Sequence, residues 1–149
     1  MRGRILLAAL VGLVAGCTPH PVGPARTFDD YERKAGTTAE SALSAVQTVR
    51  LTAKTASAGD TFGPFASVVI SEQEDALSGV QGTFGSIQPP DGDADDVREE
   101  LDGILGDALT HVTDVRLAVR RGQLGALADV AEPLDGDVDA LEGFLEAHP

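Results

Sequence analysis

Four stretches of this chain place apolar residues at alternating spacings of three and four, the period at which side chains fall on one face of a helix. In the first, over residues 28–58, the positions are Phe28, Tyr31, Ala35, Ala39, Ala42, Val46, Val49, Ala53 and Ala56. The second, over 62–87, uses Phe62, Phe65, Val69, Ala76, Val80, Phe84 and Ile87, with Gln73 falling on the same face. The third, over 94–121, uses Val97, Leu101, Ile104, Ala108, Val112, Val115 and Val119. The fourth, over 123–147, uses Leu124, Leu127, Ala131, Leu134, Val138, Leu141 and Leu145. No stretch alternates with period two for long enough to make a strand.

The ends of these segments carry the expected punctuation. Thr27 is placed to cap the first, and Ala58-Gly59-Asp60 ends it. Gly36 followed by Thr37-Thr38-Ala39-Glu40 reads as a capping box, so the first helix either restarts there or runs through a weak point. Gln88-Pro89-Pro90 stops the second. The third opens on acids from Asp91 to Glu100 and closes on Arg116, Arg120 and Arg121, matching the helix dipole at both ends. Pro133 and Gly136 interrupt the fourth without breaking its phase, which predicts a kinked helix or two collinear pieces. Short connections make neighbouring helices antiparallel, so the predicted fold is all-α, an up-down four-helix bundle over residues 27–149.

Aromatic residues are 4% of the chain, there is no Trp and only one Cys. The core must therefore rest on Leu, Val, Ile and Ala, with no disulfide available inside the chain. That cysteine, Cys17, sits in a distinctive setting. Arg2 and Arg4 make a basic start, Ile5–Val14 is an apolar run too short to span a bilayer, and Val14-Ala15-Gly16-Cys17 follows. Small residues let an extended backbone enter a peptidase, and the thiol can carry a diacylglyceryl group. The stretch resembles the lipobox of bacterial lipoprotein precursors. The resemblance implies a signal peptide over 1–16, acylation of Cys17, and a cell-membrane protein on the outer face. Two acyl chains suffice for stable anchoring. Residues 17–26 then form a tether, extended by Pro19, Pro21 and Pro24, with His20 solvated within it.

A second resemblance covers nearly the whole domain. Thr38-Ala39-Glu40-Ser41, Val68-Val69-Ile70-Ser71-Glu72 with Glu74-Asp75, Ser86-Ile87-Gln88-Pro89-Pro90 and Ala118-Val119-Arg120-Arg121-Gly122 look like a family of small helical actinobacterial lipoproteins. It implies the same compartment and fold, and it brings no biochemical activity or catalytic residue with it.

Charge narrows the function classes. Losing Arg2 and Arg4 with the leader would take the formal charge from −13 to −15. A surface this acidic repels phosphate backbones and anionic headgroups, so no nucleic acid is expected as a partner and membrane contact falls to the lipid on Cys17.

Candidate sites are sparse. Asp107, His111 and Asp114 lie on one flank of the third segment and could recruit a divalent metal, but a metal site needs three or four ligands and a second shell. The competing reading is a half-buried His beside surface acids. Asp91, Asp93 and Asp95, and again Asp135, Asp137 and Asp139, resemble the opening of a calcium loop. The glycine and bidentate Glu of such a loop belong at positions six and twelve; these are Asp96 and Asp102 after Asp91, and Ala140 and Glu146 after Asp135. The first run reads better as helix-start acid, the second as a solvated face. Gln73 would hydrogen-bond across the bundle and fix register, or mark a polar pocket. No G-x-S-x-G elbow, Glu-x-x-His pair or phosphate loop occurs, and the only thiol goes to lipid. The expectation is a non-enzymatic binding or scaffolding module without cofactor, facing an unidentified cell-envelope protein. The alternative is a ligand-binding lipoprotein for a metal ion or small apolar molecule.

Overall fold

A computed structural model describes residues 23–149; the expected leader, Cys17, His20 and the expected tether up to residue 22 lie outside them. The described residues are helical and contain no strand. Five helices occur in chain order: α1 (Phe28–Ser57), α2 (Gly63–Gly85), α3 (Gly92–Arg120), the single turn α4 (Leu127–Val130) and α5 (Pro133–Ala147). A 3₁₀ turn, Leu124–Ala126, leads into α4. No helix among them is long and apolar enough to cross a membrane.

The caps explain the boundaries. Thr27 Oγ1 accepts from the Asp30 amide at 3.2 Å, and Asp29 and Asp30 supply negative charge to the first turn of α1. Asp91 Oδ1 does the same for the Ala94 amide at 3.0 Å, which starts α3 two residues before the sequence reading placed it. Gly122, at φ 74°, reverses the chain after α3 at little steric cost. The end of α2 is held differently. Arg98 of α3 donates from Nη2 to the Gly85 carbonyl at 2.5 Å and from Nη1 to the Ile87 carbonyl at 3.2 Å, satisfying oxygens that the helix end leaves free.

At Gly36, α1 runs through unbroken. The capping box does not form: Thr37 and Thr38 donate instead to the carbonyls of Arg33 and Lys34 one turn back. A glycine costs a helix interior about 1 kcal/mol, which a 30-residue helix packed along its length absorbs. The fourth segment breaks at Pro133, which becomes the first residue of α5, where its fixed φ and missing amide cost nothing. Its stripe survives the break: Leu127, Ala131, Leu134, Val138 and Leu141 are all buried.

α1 and α3 pack on each other, and each also packs against α2 and α5. One contiguous core results, with Tyr31, Phe84, Phe144, Ile70, Leu77, Leu101 and Leu105 among its fully buried side chains. The stripes of α1 and α3 lie in it as expected, although Leu105 is buried and Ile104 only half-buried.

The second segment requires a correction. Phe62, Phe65 and Ala76 are exposed, while Val69 and Val80 are half-buried. The buried face of α2 is Ala66, Ile70, Leu77 and Phe84, followed by Ile87. From Phe65 to Ala76 the expected stripe is off by one residue, a rotation of about 100°. The helix is apolar on both faces, and the larger aliphatics win. Burying Ile70 and Leu77 removes more apolar surface from water than burying Val69 and Ala76 in the same layers.

Candidate functional site

The rotation of α2 also decides which polar residue faces the core. Glu74 takes the place expected for Gln73, one position on. Thr113 of α3 donates to its Oε1 at 2.7 Å, and the Arg116 guanidinium pairs with its Oε2. The side chains of Arg116 and Glu74 keep only 20% and 17% of their surface exposed, so the cluster is a half-buried link between α2 and α3. Each carboxylate oxygen of Glu74 has a partner, although the buried Arg116 Nε makes no hydrogen bond of its own, and the cluster links two helices.

His111 does not join Asp107 and Asp114, both of which are exposed. Its Nδ1 lies 2.8 Å from Asp137 Oδ2 on α5. Asp137 is 6% exposed, so the solvated reading of the 135–139 run is wrong for this residue. It follows Leu134 by three and precedes Leu141 by four, which puts it on the buried stripe; that spacing was visible in the sequence. Burial raises the Asp137 carboxyl above its usual range, the His111 contact pulls it down, and Asp107 adds to the rise. Asp135 pairs with Arg50 at 2.7 Å in solvent. Among the described residues no three His, Cys, Asp or Glu side chains stand together as metal ligands would.

At the far end of α5, His148 packs against Phe144 with its ring tilted, ring centroids 4.5 Å apart. Its Nδ1 is 3.0 Å from Glu32 of α1 and its Nε2 3.5 Å from Glu100 of α3. This holds the C-terminal residues against two helices. Near it in the core, Tyr31 packs its ring on Phe84 at 5.5 Å and buries a hydroxyl with no hydrogen-bond partner. Burial raises its pKa.

The exposed apolar side chains gather towards the other end of α1. Leu51, Phe62, Phe65 and Val68 are 63%, 75%, 53% and 56% exposed. The rings of Phe62 and Phe65 lie edge to face, centroids 6.2 Å apart. Gly63 closes this end against Leu124: a Cβ there would meet its side chain at 3.2 Å. The aromatic pair is thus held on a packed helix start, exposed at a cost in solvation. Gly23, the first described residue, is tied by its carbonyl to Lys34 Nζ at 2.7 Å, near the start of α1. The 30 residues of α1 separate the two ends by roughly 45 Å at 1.5 Å per residue.

No family model, no curated protein and no solved structure matches the chain.

Proposed function

We propose that the protein is a lipid-anchored, non-enzymatic module of the bacterial cell envelope, an up-down four-helix bundle that docks a protein partner through Leu51, Phe62, Phe65 and Val68. The carrying observation is the position of the exposed aromatic pair at the end of α1 away from Gly23. Under the lipobox reading the chain upstream of Gly23 leads to the lipid on Cys17. The short tether over residues 17–26, of which Gly23 is already tied to α1, keeps the start of α1 near the bilayer and holds the aromatic end roughly 45 Å further along α1. Apolar rings so placed face the partner side and not the anchoring lipid. Lys54, Arg120 and Arg121, with no ion pair among the described residues, also lie in the last turns of α1 and α3 or just past them. His111, Thr113 and His148 each pair with a carboxylate of another helix, which favours packing roles for them over chemistry.

The test is photocrosslinking in living cells with a photoreactive phenylalanine analogue at position 62, and at Ser86 as the control on the opposite end of α2. A discrete protein adduct from position 62 and none from 86 supports the docking end. Equal adducts from both positions, or none, removes it.

A further inference from the structure

An open groove of about 570 Å³ runs between the first half of α1 and the second half of α2. That volume falls within the usual range of small-molecule sites, about 300–1,000 Å³. It exists because of the rotation of α2: Ala76 and Val80, displaced from the core face, line one wall with Gly79, Thr83 and Ile87. Gly79 has no side chain, and a Cβ built on it would meet nothing within 4 Å. The opposite wall is Thr37, Thr38 and Ser41 of α1. Their hydroxyls donate to the carbonyls of Arg33, Lys34 and Thr37 at 3.0, 2.8 and 2.9 Å, so the wall is polar in name with its donors already spent.

The charge of the groove runs against the charge of the chain. The protein has 24 Asp and Glu against 11 Lys and Arg, yet none of the groove's lining residues is acidic and two adjacent ones, Arg33 and Lys34, are cations. Lys34 uses one donor on Gly23 and Arg33 one nitrogen on Asp30, which leaves both with donors to give. An apolar slot whose helical part, from Ala76 to Gly85, is some 14 Å long at 1.5 Å per residue, with Lys34 and the Asp30-paired Arg33 at one end and no acidic residue in its lining, complements an acyl chain ending in an anion.

We propose that the α1–α2 groove binds a single-chain anionic amphiphile of the fatty-acid class, its chain along Ala76, Gly79 and Val80 and its carboxylate at Arg33 and Lys34. The Lys34–Gly23 contact places the cationic part of the groove beside the chain that leads to Cys17. Under the anchored reading the groove lies on the membrane side, where such ligands are found; the groove itself does not depend on that reading.

The purified full chain, in phosphatidylcholine vesicles, is given hexadecanoic acid carrying a mid-chain diazirine and irradiated, and adducts are mapped by mass spectrometry. Adducts should concentrate on residues 76–87 and 33–41. Excess hexadecanoic acid should suppress them, and its methyl ester should compete about tenfold less well, the loss of one charge-assisted contact. Gly79→Leu should abolish the adducts while leaving the circular dichroism melt unchanged or raised, because it fills open space and improves helix propensity. Arg33→Gln with Lys34→Gln should make acid and ester compete equally. Adducts scattered over the surface, adducts that survive Gly79→Leu, or an ester that competes as well as the acid against the native chain would each overturn the proposal. Adducts in the groove of a chain whose Cys17 carries no lipid would support it while removing the anchor.

Discussion

Glu74→Ala should cost about 2 kcal/mol of stability. Removing one partner of a fully buried ion pair costs about 3–5 kcal/mol, because the remaining charge is left unpaired. Here Arg116 and Glu74 each keep about a fifth of their side-chain surface in water, so solvent recovers part of that penalty. The orphaned Thr113 hydroxyl contributes about 1 kcal/mol within the total. For a domain of this size each kcal/mol moves Tm by about 3–5 °C, so a fall of about 6–10 °C is expected. Replacing the pair together, Glu74→Leu with Arg116→Met, should recover most of the loss, since an apolar pair of similar volume needs no compensation. Arg50→Ala, which breaks the solvent-exposed pair with Asp135, should cost less than about 0.5 kcal/mol. Equilibrium urea unfolding followed by far-UV circular dichroism measures the native protein, these variants, and Arg116→Met with and without Glu74→Ala. A Glu74→Ala cost below about 0.5 kcal/mol, or the same cost in the Arg116→Met background, would refute the reasoning that the cluster couples α2 to α3.

Tyr31→Phe should raise stability by about 1 kcal/mol, because it removes a buried hydroxyl that has no partner; a loss in urea unfolding would mean the hydroxyl is bonded. Asp137→Asn tests the buried acid through pH. The folded pKa of Asp137 is raised above its usual 3.8, so its contribution to stability is fully present below that value and is lost as pH rises through the folded pKa. The Asn variant lacks this titration and should gain on the native protein between pH 4 and neutrality in paired thermal melts; a variant that falls behind over that range contradicts burial as the dominant cause.

The helical class and the core faces of α1 and α3 could be read from spacing and caps, because those segments have one apolar face; at Pro133 the spacing left a kinked helix and two pieces open, and did not show that residues 124–130 form only a 3₁₀ turn and a single helical turn. α2 has two apolar faces. Val69 and Ala76 make one stripe, Ile70 and Leu77 another, and which one turns inward depends on what α1 and α3 offer to pack against. Glu74 follows from the same rotation, which is why Gln73 stood in its place at first. The His111–Asp137 contact joins residues 26 apart on different helices, a pairing that periodicity along one helix cannot see. The groove was illegible for a related reason: Thr37, Thr38 and Ser41 count as polar in sequence, and only the fold shows their hydroxyls already spent on the helix backbone.

The proposed anchor fixes which end of the domain meets the bilayer, and with it the meaning of the aromatic end. Mass spectrometry of the protein recovered from its own membrane tests it directly. The account predicts that residues 1–16 are gone, that Cys17 is the first residue, and that its sulfur carries a diacylglyceryl group, with both features lost in Cys17→Ala. A free thiol at Cys17 within an uncleaved chain, or cleavage at another position, would contradict it.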